Sequence, residues 1–537
     1  MPSVSRLTLS WVGKDQALIE TAEGSYEWVE RHDPRVTEVR LLYETDTVGE
    51  ISEISPRDNL LIAGDSYDAL RALAHIPEFA ERYRGKIKQV YIDPPFNTGQ
   101  AFAAYDDALE HSVWLTMMRD RLRVIHDLLA PTGTVWVHLD STEVHRCRCL
   151  MDDEFGQDNY LGTVVWQRTT AKSLARRTMG TMHEQILVYG ASEASELNPL
   201  FLPLEAAYQA SRFSQRDSRG VYDTGDLTAG SHRPHLDSGQ PWKGFDPGTR
   251  RRCWAVPSKI LVDIGLDASE VSKLTMREKL DVLDEAGYIH WPDKFDGFPR
   301  YKKYLDRAKG RSVGDLWTNV DVINSQAMER TGFSTQKPEA LIQRILDMGS
   351  NPGDTVLDCF AGSGTTAAVA HKMERRWVVV EREHRNIESF IRPRLTRVVS
   401  GVDRGGITSA VGWKKGGGFR VFSVGASIYE LLAGHVFLAE RATNGEFAQA
   451  VCAQLGFSVV AEPPFAGRKG RLRLAVLDGV ADADTVRALV SRLDDSERVV
   501  VVAKAATQEA EMMLRELSPG SRLRKAPRDL LRRSVVR

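Results

Sequence analysis

Two short strings in this chain have residue types and spacing that could do chemistry. They are Asp93-Pro94-Pro95-Phe96 and, much later, Phe360-Ala361-Gly362-Ser363-Gly364-Thr365-Thr366. The first suits a planar exocyclic amine. Such an amine is a poor nucleophile because its lone pair is delocalised into the ring, and acceptors placed on both of its hydrogens favour a pyramidal nitrogen with a usable lone pair. Asp93 can accept one hydrogen. A carbonyl of the Pro94-Pro95 turn can accept the other, since proline offers only acceptors and consecutive prolines hold the carbonyl in a fixed direction. Asp93 also offsets positive charge developing on the nitrogen. Phe96 offers a face on which an extruded base can stack, worth ~1–3 kcal/mol. Taken alone, the string is also compatible with a plain Pro-Pro loop leaving a strand.

In the second string, Asp358 ends an apolar run, and Gly362 and Gly364 allow a turn tight enough for backbone to approach a ligand. Thr365 and Thr366 open a helix that presents its N-terminal amides. Glu381 ends the next apolar run, RRWVVVE, where an acidic residue usually grips ribose hydroxyls. A lone GxG is weak, and a phosphate loop is the rival reading, but the lysine of GxxxxGK[ST] is absent. A nucleoside-type cofactor without a phosphate fits better, and S-adenosylmethionine has that shape. A plain strand-turn-helix is the bland alternative.

The elements that must position these residues follow from the apolar patterning. NLLIAGDSYDAL (59–70) predicts strand, turn and helix, with Asp65 or Ser66 as the cap. KIKQVYID (86–93) predicts a strand that Pro94 and Pro95 stop. A helix is expected over 111–133 with a Pro-Thr-Gly stop, a strand over 133–140 and a helix over 142–153. After 335 the alternation resumes, with a helix at 336–350, a strand at 354–360, a turn and helix at 362–373, and a strand at 375–381. Strand-helix alternation of this kind predicts an α/β fold, a Rossmann-like doubly wound sheet. Both motifs then lie at carboxyl ends of strands, where such sheets bind ligands.

From about 168 to 320 the pattern breaks into Gly, Pro, Ser, Asp and Arg with interleaved aromatics, too long and too aromatic for a linker. The expected organisation is an N-terminal extension (1–50), a first core half (51–167), an inserted loop-rich domain (168–320), a second core half (321–415) and, after the glycine-rich 413–419, a small α/β domain (420–537).

The 537 residues carry a formal net charge of −2, with 42% hydrophobic and 27% charged residues. Global charge therefore neither announces nor excludes a nucleic-acid protein, because a basic groove can sit on a neutral whole. No apolar run reaches the ~18–20 residues of a membrane span, and MPSVSRLTLSW lacks signal-peptide features, so a cytoplasmic location is expected. The five scattered cysteines argue against a disulfide framework, and Cys147-x-Cys149 lacks the partners of a zinc site. His138, Asp140, Glu143 and His145 cluster in sequence, but packed or surface histidines are the plainer reading, and no metal is expected. Trp114 and Met118, four apart on a helix, read as core. Arg168, Lys172, Arg176, Arg177, Arg250, Arg251 and Arg252 are candidate phosphate contacts, with a solvated surface as the alternative.

The order of the two motifs, with the insertion between them, resembles the permuted, beta-class DNA amino-methyltransferases, and more narrowly the modification (Mod) subunits of type III restriction-modification systems. The strings that carry the likeness include NLLIAGDSYDALRAL, VYIDPPFNTGQAF, HEQILVYG, TGFSTQKPEALIQRIL and GGITSAVGWKKGGGFR. It covers nearly all of residues 1–420. The resemblance implies a target-amine site at Asp93, Pro94, Pro95 and Phe96. It implies S-adenosylmethionine bound by Asp358, Phe360, Gly362, Gly364, Thr365 and Thr366, with Asp65 meeting the adenine, Glu381 the ribose, and Lys337 of TQKP near the methionine end. It further implies a target recognition domain in the insertion, double-stranded DNA as substrate, a homodimer and, for type III members, a separate helicase-nuclease (Res) subunit. Phe96 stands where tyrosine is commoner in the family, which keeps a ring and loses a hydroxyl.

Cytosine C5 methylation uses a nucleophilic cysteine, usually after proline, and no cysteine here follows one. N4-cytosine methylation is the serious enzymatic rival, because both amines need the same geometry, but serine is more typical than aspartate at the first motif position there, so Asp93 favours adenine. A glutamine methyltransferase would carry NPPY after the cofactor motif. A non-catalytic DNA-recognition subunit is the remaining alternative, against which the intact motifs argue.

Overall fold

The computed structural model describes residues 9–20, 26–51, 59–97, 101–102, 105–106, 110–170, 179–231, 233–292, 297–432, 435–439, 446–526 and 530. The chain divides into two compact units, Met1–Asn198 with Gly314–Arg537, and Pro199–Val313.

The larger unit is built on a ten-stranded sheet. In chain order its strands are β1 (Leu42–Gly49), β2 (Asn59–Ala63), β3 (Ile87–Ile92), β4 (Leu129–Leu139), β5 (Tyr160–Gln167), β6 (His183–Gly190), β7 (Leu316–Trp317), β8 (Thr355–Asp358), β9 (Arg376–Glu381) and β10 (Gly418–Val424). In space they run β7-β5-β6-β4-β3-β8-β9-β2-β10-β1. The run from β4 to β10 is parallel throughout. Antiparallel pairs, β4 with β6, β6 with β5, and β10 with β1, extend it on both sides.

The principal helices are α1 (Ser66–His75), α2 (His111–Leu128), α3 (Val144–Phe155), α4 (Glu339–Gly349), α5 (Thr365–Lys372) and α6 (Arg392–Ser400). Leu60, Ile62, Val90, Ile92, Leu357, Val378 and Val380 share one buried cluster with Leu70 and Leu73 of α1, Leu122 of α2 and Leu150 of α3. Successive strand residues point to opposite faces, so the buried Leu61, Tyr91, Val356 and Val379 lie on the other face. The helices α4, α5 and α6 are tied together by a buried charge node. Glu339 accepts from Lys372 Nζ (2.9 and 2.8 Å) and from Arg394 Nη2 (2.8 Å). The α/β doubly wound expectation holds, with strands in permuted chain order.

Boundaries fall differently from the compositional ones. The second unit is Pro199–Val313, narrower than the irregular stretch 168–320, because the apolar run Ile186–Tyr189 inside that stretch is buried in β6, and Trp317 is buried in β7. The strand β10 crosses the glycine-marked boundary at 420 and pairs with β2 and β1, so part of the expected C-terminal domain completes the main sheet. The expected N-terminal extension supplies β1. The α2 helix ends at Leu128, and Pro131-Thr132-Gly133 lies within β4 rather than before it.

Beyond β10, a five-stranded sheet (Ser458–Glu462, Phe465–Lys469, Leu472–Ala481, Arg498–Ala506, Arg522–Lys525) buries its own core around Val499, Val501 and Leu514. The smaller unit has a four-stranded sheet whose core is aromatic, with Tyr222, Trp242, Trp254 and Tyr304. No helix among the described residues is long and apolar enough to cross a membrane.

Candidate active site

Four neighbouring parallel strands each hand one carboxyl to the same edge of the sheet. In spatial order β2 leads to Asp65, β9 ends at Glu381, β8 ends at Asp358, and β3 leads to Asp93. A single cavity of about 1550 Å³ is lined by all four, together with Pro94, Pro95, Phe96, Lys337, Phe360, Gly362, Thr365 and Thr366. The two motifs, distant in sequence, thus meet because β3 and β8 are adjacent.

On the amine side, Asp93 Oδ2 is 2.7 Å from Lys337 Nζ. Asp93 Oδ1 is buried with no hydrogen-bond partner. The Pro95 carbonyl accepts from the indole Nε1 of Trp114 at 2.7 Å, which leaves Pro94 as the proline whose carbonyl accepts no bond among the described residues. The Phe96 ring lies 6.1 Å from that of His138, and Lys337 Nζ sits 4.8 Å from its centre. Burial works against the Lys337 charge, but Asp93 and Glu184 outweigh it and hold the ammonium above its usual range. The chain leaves the motif through Asn97, whose φ of 62° is left-handed. Its amide donates to the fully buried Glu143 at 2.8 Å, and Glu143 is also paired with His111.

On the cofactor side, Asp358 Oδ1 accepts from Phe360 N (2.9 Å) and Oδ2 from Thr366 Oγ1 (2.6 Å). Burial nevertheless pushes the Asp358 carboxyl up to about 7, with Asp93 and Glu381 adding to the rise. Glu381 is raised by burial too, although it accepts from Gly362 N at 2.8 Å, Glu383 N at 3.0 Å and Asn386 Nδ2 at 3.1 Å. Gly364 caps α5 at φ 73°, and a Cβ there would stand 3.0 Å from Ile391. Arg394 donates to Thr365 Oγ1 at 2.8 Å, tying the loop to Glu339. Asp65 caps α1 through Oδ1 (2.8 Å from Tyr67 N) and pairs with Arg121 through Oδ2 (2.7 Å). Burial opposes its ionisation, but Arg121 prevails and its carboxyl is lowered.

These residues fit S-adenosylmethionine. Buried carboxyls whose ionisation the protein does not fully compensate suit a ligand bearing a sulfonium and an α-ammonium, and Glu381 keeps one acceptor site, on Oε2, for a hydroxyl donor. No group of three or more His, Cys, Asp or Glu among the described residues could hold a metal. His138 is instead wedged between Tyr91 Oη (2.8 Å) and Glu184 (2.9 Å).

The basic candidates scatter. Lys172, Arg176 and Arg177 lie outside the described residues. Arg168 is on the cavity wall, paired with Glu184 at 2.8 Å. Within the smaller unit, Arg250 and Arg251 are exposed at a turn, while Arg252 is engaged by Thr228 (2.7 and 2.8 Å). Lys337, placed near the methionine end by resemblance, makes its contacts here with Asp93 and Phe96. Sequence reasoning missed Glu184, Arg121 and Arg394, and read Trp114 only as core. A carboxylate opening the apolar run HEQILVYG was the available signal for Glu184.

The N6/N4 methyltransferase family model, described as DNA methylase, matches residues 87–392, more than half of the chain. The chain belongs to this family of DNA methylases, which use S-adenosylmethionine as methyl donor. The type II methyltransferase M.EcaI of Enterobacter cloacae is 29% identical over 388 residues, covering 71% of this chain and 76% of that protein. The probable type III restriction-modification enzyme HindVI Mod subunit of Haemophilus influenzae is 30% identical over 421 residues, covering 69% and 55%. The type III StyLTI Mod subunit of Salmonella typhimurium is 25% identical over 408 residues, covering 67% and 55%. The chain therefore spans about half the length of these Mod subunits.

Proposed function

We propose that this DNA methyltransferase modifies the N6 amine of adenine within a specific sequence of double-stranded DNA, as the modification subunit of a type III-like restriction-modification or phage-defence system. The observation that carries the reading is the pair of acceptors beside Phe96. Asp93 Oδ1 is buried and unpartnered, and the Pro94 carbonyl is the proline oxygen that Trp114 leaves alone.

S-adenosylmethionine, when bound, supplies a methyl group activated on sulfonium sulfur. The protein's own part is to receive the base. Phe96 stacks the adenine turned out of the duplex. Asp93 Oδ1 and the Pro94 carbonyl accept the two amine hydrogens, directing the nitrogen lone pair toward the cofactor side of the cavity. Asp93 stabilises the positive charge on nitrogen until one amine proton is lost to solvent water. Holding both reactants in one cavity supplies much of the rate. Arg168, Lys172, Arg176, Arg177, Arg250 and Arg251 are proposed phosphate contacts, and the unit Pro199–Val313 the seat of sequence recognition. A homodimer and a Res-type partner complete the proposal, in keeping with the relatives named as Mod subunits.

The test is expression in a methylation-deficient host followed by modification-sensitive DNA sequencing. Methylated adenine in one short motif, lost in Asp93→Ala, supports the reading. Modified cytosine overturns the adenine assignment. Tight cofactor binding without any modification overturns catalysis in favour of a recognition subunit.

A further inference from the structure

Glu184 lies at the start of β6 with its side chain 5% exposed, and Lys337, Arg168 and His138 surround it. Its Oε1 is 2.8 Å from Arg168, and its Oε2 is 2.9 Å from His138 Nε2 and 3.8 Å from Lys337 Nζ. Lys337 in turn is 2.7 Å from Asp93 Oδ2 and 11% exposed. The ammonium is thus held between two carboxylates. A lysine head on a flexible four-carbon stem has no direction of its own, and within this cavity the Phe96 face competes for it at 4.8 Å.

We propose that Glu184 is a positioning residue for the reaction, acting through Lys337: by pulling on the ammonium from the side opposite Asp93, it pins Lys337 on Oδ2 and so presents Oδ1 alone, in one orientation, to the incoming amine. The proposal rests on the reading of Asp93 as the amine acceptor. Asp93 can accept through either oxygen until one is occupied. Occupation by a fixed cation stops rotation of the carboxylate and keeps it from turning toward Asp358 or Tyr91. The ordering of charges, Asp93, Lys337, Glu184 and then Arg168, alternates in sign. The electrostatics agree, since Glu184 is held well below the usual carboxylate range, with Lys337 and His138 outweighing its burial.

A merely structural Glu184 would anchor the sheet edge without touching the chemistry, and two measurements on the full-length protein separate the cases. The first is acetylation of Lys337 by acetic anhydride as a function of pH, followed by mass spectrometry without DNA. The second is single-turnover transfer of labelled methyl into DNA from a methylation-deficient host, with cofactor affinity by calorimetry. In Glu184→Gln, Lys337 should become about tenfold more reactive at a given pH. The transfer rate should fall about 10–100-fold while cofactor affinity stays within about twofold, and Glu184→Asp should recover part of the rate. Unchanged Lys337 reactivity overturns the proposal, as does a Glu184→Gln rate within about twofold of the parent. If Glu184→Gln does not fold, Glu184→Asp carries the same comparison, with smaller changes of the same sign expected and no change overturning it. If the parent protein transfers no methyl group but Lys337 reactivity still responds, the functional reading falls and the clamp stands.

Discussion

Trp114 donates its indole N–H to the Pro95 carbonyl across 2.7 Å, and this bond decides which proline oxygen is left for a substrate. Trp114 is fully buried on α2, so the donor cannot swing away. In Trp114→Phe the Pro95 carbonyl loses its partner and the Pro-Pro turn its brace. We expect kcat for methyl transfer to fall at least about tenfold and cofactor affinity to stay within about twofold. Stability should drop by about 1–3 kcal/mol, the range for a buried acceptor left unsatisfied. Equal rates in the two proteins would show that the turn needs no brace.

The raised Asp358 carboxyl makes cofactor binding depend on pH. A cationic ligand favours the ionised form, so in the free protein, where the group sits at about 7, a proton must be lost on binding at lower pH. Affinity for S-adenosylmethionine should therefore be full above pH 7 and weaken by up to about tenfold per unit below it, as measured by calorimetry in a pH series.

The same shift has a stability side. The folded carboxyl lies above its ordinary 3.8, so the native state binds this proton more tightly than the unfolded chain, and the contribution of Asp358 to the stability of the free protein falls as pH rises from about 4 to about 7. Asp358→Asn removes that cost. Its melting temperature without cofactor at pH 8 should rise by about 1–2 °C, while cofactor binding is lost. A lower melting temperature would mean that the bonds to Phe360 and Thr366 matter more than the burial of charge.

Gly364 has the left-handed φ of 73°, and its added Cβ would press on Ile391 at 3.0 Å. Gly364→Ala should weaken cofactor binding about tenfold or more by shifting the loop that carries Gly362 toward Glu381, with about 1–3 kcal/mol of destabilisation. Calorimetry and thermal melts read both numbers.

Three consecutive arginines should behave differently toward DNA. Arg250 and Arg251 are exposed, whereas Arg252 is spent on Thr228. Arg251→Ala should weaken DNA binding at low salt and reduce the slope of log affinity against log salt by about 1. Arg252→Ala should act on the stability of the unit instead. Identical salt slopes for Arg251→Ala and the parent would remove Arg251 from the interface.

The regular part of the fold was legible because local signals agree with the global structure. Asp65 as a cap, the stop at Pro94 and the strand ending at Asp358 are each set by neighbouring residues. Edges were less legible. The strand β6 hides behind the irregular, arginine-containing stretch 168–182, and β10 follows a glycine run that resembles a linker but only turns the chain into the sheet. The roles of Arg121, Glu184 and Lys337 were illegible for a different reason. Each is defined by a partner brought near by strand order (Asp65 for Arg121, Asp93 for Lys337), and no local pattern encodes such a pairing.

Asp65, Glu381, Asp358 and Asp93 stand in that order across four adjacent strands, yet the chain visits them as Asp65, Asp93, Asp358, Glu381. With strands ~4.8 Å apart, the row spans ~14 Å, a yardstick written across the sheet and not along the polypeptide. Such a yardstick tolerates re-cutting of the gene. A chain severed within 199–313 would separate Asp93 from Asp358 covalently, but hydrogen bonding between β3 and β8 would still set them side by side, so two co-produced fragments should rebuild the row.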